Sequence, residues 1–211
     1  MKKELIINKS KTIIVILAGG QSRRFGGGYK TLHKINNISL LNRIINSFNK
    51  LEIEIVLNVN SNEDQFLKTG LQLVQDEIKN FQGPLAGIYS SMKWVLKERK
   101  YIEWIFTSPS DTPFIDSNLV NKFLKTKYND KTKIILANSS NKTHPVIGMW
   151  HISLFKSLEK FLANENRKIM HWVDEQNYEI LNFKNKNYFF NINTQADLEE
   201  AVKIEKSLKI L

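Results

Sequence analysis

The chain has 211 residues, no cysteine, and a formal net charge of +10 from 31 basic and 21 acidic side chains. This length fits one domain with a substantial core, and the lack of cysteine excludes disulfides and thiolate metal sites. The lysines are dispersed and accompany no aromatic–basic module, so nucleic acid is not an expected partner. No apolar run is long enough for a signal peptide core or a bilayer span, and we expect a cytoplasmic protein without a membrane partner.

The first half of the sequence alternates predicted strands with predicted helices. We expect residues 1–11 to be a loose or extended N-terminus of a single domain that spans 1–211. The predicted elements that follow are a strand at 12–17, a helix capped by Ser39, a strand at 53–59, a polar helix near 62–68, a strand at 71–75, a helix from Gly83-Pro84, and a strand at 104–107. Short connections between alternating elements predict an α/β fold, a three-layer α/β/α sandwich around a mostly parallel, mixed sheet.

The second half is less regular. Its predicted elements are a helix near 117–127, strands at 134–137 and 145–150, a helix over 154–162, a short helix at 168–175, and strand-like runs at 180–183 and 188–192. A C-terminal helix should begin after Thr194, with Asp197 as a capping-box-like partner. No internal repeat or linker interrupts the chain, which supports the single domain.

A glycine-rich segment follows the predicted strand at 12–17. Residues 19–30 contain five glycines, two arginines and a closing lysine, Lys30. Glycines let backbone N–H groups converge on a ligand, and the cations suit phosphate oxygens, so the pattern favours a polyphosphate cradle over a flexible surface loop. The spacing excludes a P-loop, because Tyr29 stands where its glycine should be, and it excludes the dinucleotide fingerprint.

Polar residues also follow other predicted strands. Asn58, Asp76 and Asp111 each stand at or just beyond a predicted strand end, and ligands of such sheets bind outside the carboxyl ends of the strands. Asp111 is the candidate metal ligand, because Mg²⁺ is held by one or two carboxylates together with substrate phosphates and waters. The alternative for Asp111 is a structural role in the turn before Thr112-Pro113.

Five segments, in chain order, resemble motifs of one family. Residues 17–30 resemble the L-A-G-G-x-S-x-R-M-G-x-x-x-K signature of nucleotidyltransferases with a Rossmann-like domain, with Phe25 for Met and with Tyr29 where Asp commonly precedes the lysine. Residues 82–88, 108–114, 144–146 and 190–198 resemble the G-P-L-A-G, P-C-D-T-P, H-P and F-x-N-(I/V)-N-T-P segments of the molybdenum cofactor guanylyltransferases, with Ser110 for Cys and Gln195 for Pro. Residues 164–167 read N-x-x-R where that family tends to have G-x-x-R.

The resemblance implies a Rossmann-like fold of the nucleotide-diphospho-sugar transferase type. It implies transfer of GMP from GTP to the terminal phosphate of molybdenum-molybdopterin, release of pyrophosphate, Mg²⁺ as cofactor, and a molybdoenzyme or cofactor-delivery protein downstream. For nucleotide binding it indicates Leu17, Ala18, Gly19, Gly20, Lys30, Asn58, Asp76 and Asp111. For catalysis it indicates Arg24, Lys30 and Asp111, with Asp111 on the metal. For the pterin side it indicates His144, Arg167, Asn191 and Asn193, each of which could instead make a local cap or strand-end hydrogen bond.

Two alternative functions stay open. One is a cytidylyl- or sugar-phosphate nucleotidyltransferase of the same fold, which the segments at 83–87 and 191–194 disfavour. The other is a non-enzymatic nucleotide- or cofactor-binding protein. Retention of Lys30 and Asp111 argues against this second alternative, whereas Tyr29, in place of the usual aspartate, keeps it open. The sequence does not decide which of Asn58 and Asp76 contacts the base and which contacts the ribose.

Overall fold

The computed structural model describes residues 4–19, 29–60, 64–78, 83–164 and 167–209, with side chains up to Ser207. The strands are β1 (Glu4–Ile6), β2 (Thr12–Leu17), β3 (Lys34–Ile35), β4 (Ile38–Ser39), β5 (Ile55–Val59), β6 (Gln72–Gln75), β7 (Trp104–Pro109), β8 (Lys127–Asn129), β9 (Ile134–Ser139), β10 (Lys142–His151) and β11 (Tyr178–Asn182). The helices are α1 (Leu40–Phe48), α2 (Asp64–Leu67), α3 (Pro84–Glu98), α4 (Ser117–Lys125), α5 (Phe155–Ala163), α6 (Ile169–Val173) and α7 (Gln195–Lys209).

The central sheet has seven strands in the order β11-β9-β10-β7-β2-β5-β6. The β2–β5, β2–β7, β5–β6 and β9–β11 pairs are parallel, whereas β10 runs antiparallel to both of its neighbours. The carboxyl ends of all the other strands of this sheet therefore lie at one edge. The predicted mostly parallel, mixed sheet is confirmed.

Both faces of the sheet are covered by helices. Alternate residues of β2 are fully buried on opposite faces: Ile14 and Ile16 belong to the core that includes α1 and α4, whereas Ile13 and Val15 belong to the core that includes α3, α5 and α6. A strand buried on both faces reads as a continuous apolar run because neither face meets water. The α/β/α sandwich predicted from the sequence is confirmed.

The predicted starts of two helices, α1 and α7, are confirmed, and in both the capping groups lie within a few residues of one another. The Ser39 side chain accepts a hydrogen bond from the Asn42 N–H at the start of α1. At the start of α7, the Asp197 carboxylate accepts 2.8 Å hydrogen bonds from the N–H groups of Asn193 and Thr194, and the Asp197 N–H donates to Thr194 Oγ1. This reciprocal pair is the predicted capping box.

Two expectations about elements differ from the structure, and a third is narrowed. Of the loose or extended N-terminus that was expected, residues 4–6 are extended, because β1 pairs antiparallel with β8 and the following Ile7 is buried in the core. The helix predicted near 117–127 ends at Lys125, because residues 127–129 form β8, whose Tyr128 packs edge-on against Trp104. The aromatic run at 188–192 is not a strand: Lys186–Phe189 is a 3₁₀ helix, and its aromatic rings pack on neighbouring side chains instead of entering a ladder.

Within the described residues, no helix combines the length and the apolarity that crossing a membrane would require.

Candidate active site

The candidate site lies beyond the ends of β2 and β7, the two strands between which the strand order changes direction. The chain passes from β2 to β5 and β6 on one side of β2 and then crosses to β7 on the other side. Such a switch point opens a crevice beyond the carboxyl ends of the two central strands. Leu17 ends β2, and its carbonyl accepts a 3.0 Å hydrogen bond from the Ser110 N–H just after β7. Gly19 and Asp111 thus leave the sheet side by side, as the strand-end argument predicts.

Lys30 is the centre of a hydrogen-bonded cluster at this crevice. Its Nζ donates to Asp111 Oδ2 at 2.6 Å, to Asn193 Oδ1 at 2.5 Å and to Asn191 Oδ1 at 3.2 Å. The Lys30 and Asp111 side chains are only 14% and 22% exposed, so water screens their ion pair less than it screens a surface pair. The structure therefore joins two predicted catalytic residues to two residues predicted for the pterin side.

The two asparagines are held by the buried residue between them. Ile192 is fully buried in a small apolar cluster with Ile35 and Leu40, and its N–H donates to the Asp111 carbonyl at 2.9 Å. Asn191 and Asn193 on either side remain exposed, with their amide oxygens on Lys30. The Asn-Ile-Asn pattern thus fixes one apolar anchor and presents two acceptors.

The two oxygens of the Asp111 carboxylate differ in their hydrogen bonding. Oδ2 accepts from Lys30, whereas Oδ1 is buried and has no hydrogen-bond partner among the described residues. An unpaired buried oxygen is costly, and such an atom in a crevice is a natural ligand position. Across the described ranges, no three His, Cys, Asp or Glu side chains cluster around a metal position. Besides a carboxylate, Mg²⁺ commonly takes phosphate and water oxygens as ligands, and the crevice at Asp111 could admit both.

Asn58 and Asp76 form a second polar group at the same edge. The Asn58 Nδ2 donates to Asp76 Oδ1 at 2.8 Å and to the Val74 carbonyl at 3.1 Å, and Asn58 is 2% exposed. Burial raises the pKa of Asp76 above its usual range, and the Asn58 hydrogen bond partly opposes that rise. A Cβ on Gly87 would lie 2.3 Å from Asn58 Oδ1, so only glycine lets α3 pack this closely.

His144 lies in β10 next to an irregularity in its pairing with β9. Its ring stacks on Phe189 with centroids 4.0 Å apart, and its Nε2 lies 3.0 Å from Ser139 Oγ. Burial, together with the Lys142 ammonium, lowers the pKa of His144 to about 4. His144 is therefore a neutral, stacked ring at neutral pH and carries no charge for a phosphate.

The remaining predicted site residues are placed as follows. The Ala18 N–H donates to the Asn58 carbonyl at 2.9 Å, and the Gly19 carbonyl accepts from Asn60 Nδ2 at 2.8 Å. Arg167 is exposed shortly before α6. Gly20 and Arg24 lie outside the described residues, so their assigned roles stay predictions.

Two residues near the site are not among the predicted site residues. Asn60 follows β5 at the same edge as Asn58, so the strand-end rule applies to it as well, but the family resemblance gives it no counterpart. Phe189 lies in a predicted strand, although a run of three aromatic residues, Tyr188 to Phe190, also suits ring packing.

Comparison with known proteins agrees with this geometry. The MobA-like NTP transferase domain family matches residues 14–179. A molybdenum cofactor guanylyltransferase from Nitrobacter hamburgensis is 34% identical over 193 residues, which cover 90% of this chain and 92% of the relative. The solved structure of molybdopterin-guanine dinucleotide biosynthesis protein A from Archaeoglobus fulgidus superposes with a TM-score of 0.71 at 19% identity, covering 92% of this chain and 99% of its own. A 4-diphosphocytidyl-2C-methyl-D-erythritol synthase from Anaerococcus prevotii has a TM-score of 0.70 at 13% identity, with 95% and 98% covered.

The switch-point crevice, the Lys30 cluster and the matched domain define a nucleotidyltransferase with a Rossmann-like fold. The two solved structures share the fold but differ in name, so the fold alone leaves the subfamily undecided. Sequence identity with the relatives, over nine-tenths of the chain, decides the subfamily. The chain belongs to the molybdenum cofactor guanylyltransferase family.

Proposed function

We propose that the protein transfers GMP from GTP to the terminal phosphate of the molybdenum-molybdopterin cofactor. An oxygen of that phosphate attacks the α-phosphorus of GTP and forms a new P–O bond. The bond between the α-phosphorus and the oxygen that bridges to the β-phosphate breaks, and its electron pair leaves with pyrophosphate. The product is the guanine dinucleotide form of the cofactor. The family relationship supports this assignment of substrates.

The single observation that carries the proposal is the Lys30 cluster at the switch point. Transfer between two phosphates requires no covalent enzyme intermediate, so catalysis rests on positioning and on neutralising charge that develops on the leaving group. Lys30 supplies a cation that Asp111, Asn191 and Asn193 hold in place before substrate arrives. A preorganised cation of this kind stabilises developing charge without reorganisation during the reaction.

Mg²⁺ fits the residues at this position. The unpartnered Oδ1 of Asp111 offers a hard carboxylate oxygen, and Mg²⁺ sites of nucleotide enzymes commonly combine one or two carboxylates with substrate phosphates. We assign Asp111 as the residue that holds the ion. When bound, Mg²⁺ would neutralise phosphate charge in the crevice.

We assign Asp76 as the nucleoside contact and Asn58 as the residue that orients it. A carboxylate can accept hydrogen bonds from the N1–H and N2–H₂ edge of guanine or from a ribose diol. Both Nδ2 hydrogens of Asn58 already bind Val74 and Asp76, and its side chain is buried. Asn58 therefore acts on the nucleoside through Asp76.

We propose that the acceptor approaches from the side of Asn191 and Asn193, with Arg167 and the His144–Phe189 stack on its path. A neutral stacked histidine suits a heterocycle better than a phosphate, which is consistent with a pterin nearby. The product would pass to a molybdoenzyme or a delivery protein. We expect the reaction to take place in the cytoplasm.

We predict that GTP binds more tightly than ATP or CTP. A site that hydrogen-bonds one base edge disfavours ligands that leave its buried polar groups unpaired, by roughly 1–3 kcal/mol per unsatisfied group. Calorimetric titration of each nucleotide in the presence of Mg²⁺ measures the difference. Pyrophosphate release should also require both GTP and molybdopterin. Equal or tighter CTP binding would contradict the guanylyl assignment and favour a cytidylyltransferase.

We predict that Asn58→Leu moves the acidic loss of GTP affinity to higher pH. The Asp76 carboxyl group must be ionised for both of its oxygens to accept hydrogen bonds from the nucleoside, so affinity is complete above its pKa and falls as the pH drops through it. Asn58 lowers that pKa, and removing its amide lets the burial effect raise it further. The measurement is GTP affinity as a function of pH for the wild type and the variant.

Asp76→Asn is the control for this pH profile, because it has no carboxyl group to titrate at that position. Its GTP affinity should be low and nearly constant across the range in which the wild type changes. If the profiles of Asn58→Leu and the wild type coincide while both proteins fold, Asn58 does not act through Asp76.

A further inference from the structure

The two described ends of the glycine-rich segment contact the same neighbouring connection. Gly19 is the last described residue before residues 20–28, and Tyr29 is the first described residue after them. The connection that follows β5 begins at Asn60 and continues into α2, which contains Phe66. Asn60 contacts Gly19, and Phe66 contacts Tyr29.

At the first end, the contact is a hydrogen bond at close range. Asn60 Nδ2 donates to the Gly19 carbonyl at 2.8 Å. A Cβ placed on Gly19 would lie 2.3 Å from Asn60 Oδ1, so a larger residue here would displace the Asn60 side chain from this hydrogen bond. The chain therefore leaves β2 with its direction set by a residue of the β5–α2 connection.

At the second end, the contact is aromatic. The Tyr29 and Phe66 rings meet edge to face, with centroids 5.0 Å apart and an interplanar angle of 79°. Phe66 is fully buried in the core, so it offers Tyr29 a fixed surface. This contact also accounts for the tyrosine at a position where the family commonly has aspartate: the ring has an aromatic partner in this chain.

Lys30 lies between two anchored neighbours. Tyr29 rests on Phe66, and Thr31 is 2% exposed. Tyr29 and Lys30 also begin a tight 3₁₀ turn, in which their carbonyls accept from the N–H groups of Leu32 and His33 at 3.0 and 3.2 Å. The backbone is thus held on both sides of Lys30, whose side chain extends to Asp111 and places Nζ 2.6 Å from Oδ2.

We propose that Asn60 and Phe66 are positioning residues for the transfer reaction. Asn60 holds Gly19 and Phe66 holds Tyr29. By holding Tyr29, Phe66 positions the Lys30 ammonium. The inference rests on the proposed function for its kinetic consequences. Its structural part, that Phe66 orders the turn at 30–32, is independent of which nucleotide the enzyme uses.

The kinetic test compares Phe66→Leu with Phe48→Leu. Phe48 is an equally buried phenylalanine of the same core, in edge contact with Phe106, and it is the matched control for lost packing. Phe66→Leu should lower kcat for pyrophosphate release about tenfold, since a misplaced catalytic group of this kind costs up to about 100-fold. Phe48→Leu should change kcat by less than about twofold.

A double-mutant cycle separates positioning from general destabilisation. If Phe66 acts through Lys30, then adding Phe66→Leu to a Lys30→Ala protein should cause little further loss of turnover, because the group that Phe66 aims is already absent. Asn60→Ala should lower kcat less than Phe66→Leu does, with Asn118→Ala, another exposed amide donor, as its control. Multiplicative losses in the cycle would overturn the assignment of Phe66.

Hydrogen exchange of the backbone provides a readout without activity. Phe66→Leu should speed exchange at the Leu32 and His33 amides, which close the turn, whereas Phe48→Leu should leave their exchange near wild type. Equal exchange in the wild type and Phe66→Leu would overturn the inference whatever the substrate is. If the wild type releases no pyrophosphate but exchange responds as expected, the proposed function fails and the structural inference stands.

Discussion

Asp111→Asn should lower turnover by at least about 100-fold, and added Mg²⁺ should restore part of the loss. The substitution keeps the size of the side chain and an oxygen that can still accept from Lys30, but it removes the negative charge that would attract the cation. The buried, unpartnered Oδ1 is the atom on which this expectation rests. The measurement is a Mg²⁺ titration of pyrophosphate release for both proteins, with a melting curve for each.

Asp116→Asn is the matched control for this experiment. Asp116 follows Asp111 by five residues and caps α4 by accepting from the Leu119 N–H at 3.0 Å. Asparagine caps helices about as well as aspartate, so the control loses a charge in the same loop while keeping the cap. Its Mg²⁺ dependence should match that of the wild type. A lowered melting temperature for Asp111→Asn with an unchanged Mg²⁺ curve would mean that Asp111 only braces the turn.

Lys30→Ala should lower kcat by roughly 10²–10³-fold, a typical cost of removing one preorganised group that stabilises developing charge. The ammonium should matter more in the transition state, where negative charge moves onto the departing pyrophosphate, than in the complex with GTP. We therefore expect kcat to fall more than the KM for GTP rises. Steady-state kinetics with GTP and molybdopterin measure both, and circular dichroism checks the fold.

The control for Lys30 is Lys34→Ala, which removes an exposed lysine of β3 four residues away. Lys34→Ala should retain wild-type kinetics, because water and salt screen the charge of an exposed lysine. If Lys30→Ala also turns over at nearly the wild-type rate, then Lys30 serves only as the structural partner of Asp111. In that case the Lys30 cluster would no longer support the proposed function.

Tyr29 shows how a departure from a motif can be read in two ways. From the sequence, the missing carboxylate supports a binding protein without activity. In the structure, the tyrosine ring packs edge-on against the buried ring of Phe66, directly before Lys30. The position before the lysine that we propose as catalytic is thus filled by a residue that packs on the core.

Local chemistry explains which elements were predictable. The buried strand at 12–17, the Ser39 cap and the box of Thr194 with Asp197 depend on residues within a few positions of one another, and all three are confirmed. The aromatic run at 188–192 was mispredicted because aromatic residues favour strands only when their rings fit a pleated surface. Here the Phe189 ring stacks on the ring of His144 instead.

The sequence by itself determined the family, the α/β class and the edge of the sheet where the polar residues gather, because ordered motifs and strand ends are properties of the chain alone. Only the tertiary structure decided which of those residues meet. Lys30 reaches Asp111 across 81 residues, and it reaches Asn191 and Asn193 across 161 and 163 residues. Asp111 comes close to Lys30 because β7 pairs with β2, although β5 and β6 come between them in the chain. Asn191 and Asn193 come close because the Ile192 N–H between them donates to the Asp111 carbonyl. Strand order depends on the packing of both sheet faces at once, and no local pattern around Lys30 encodes it.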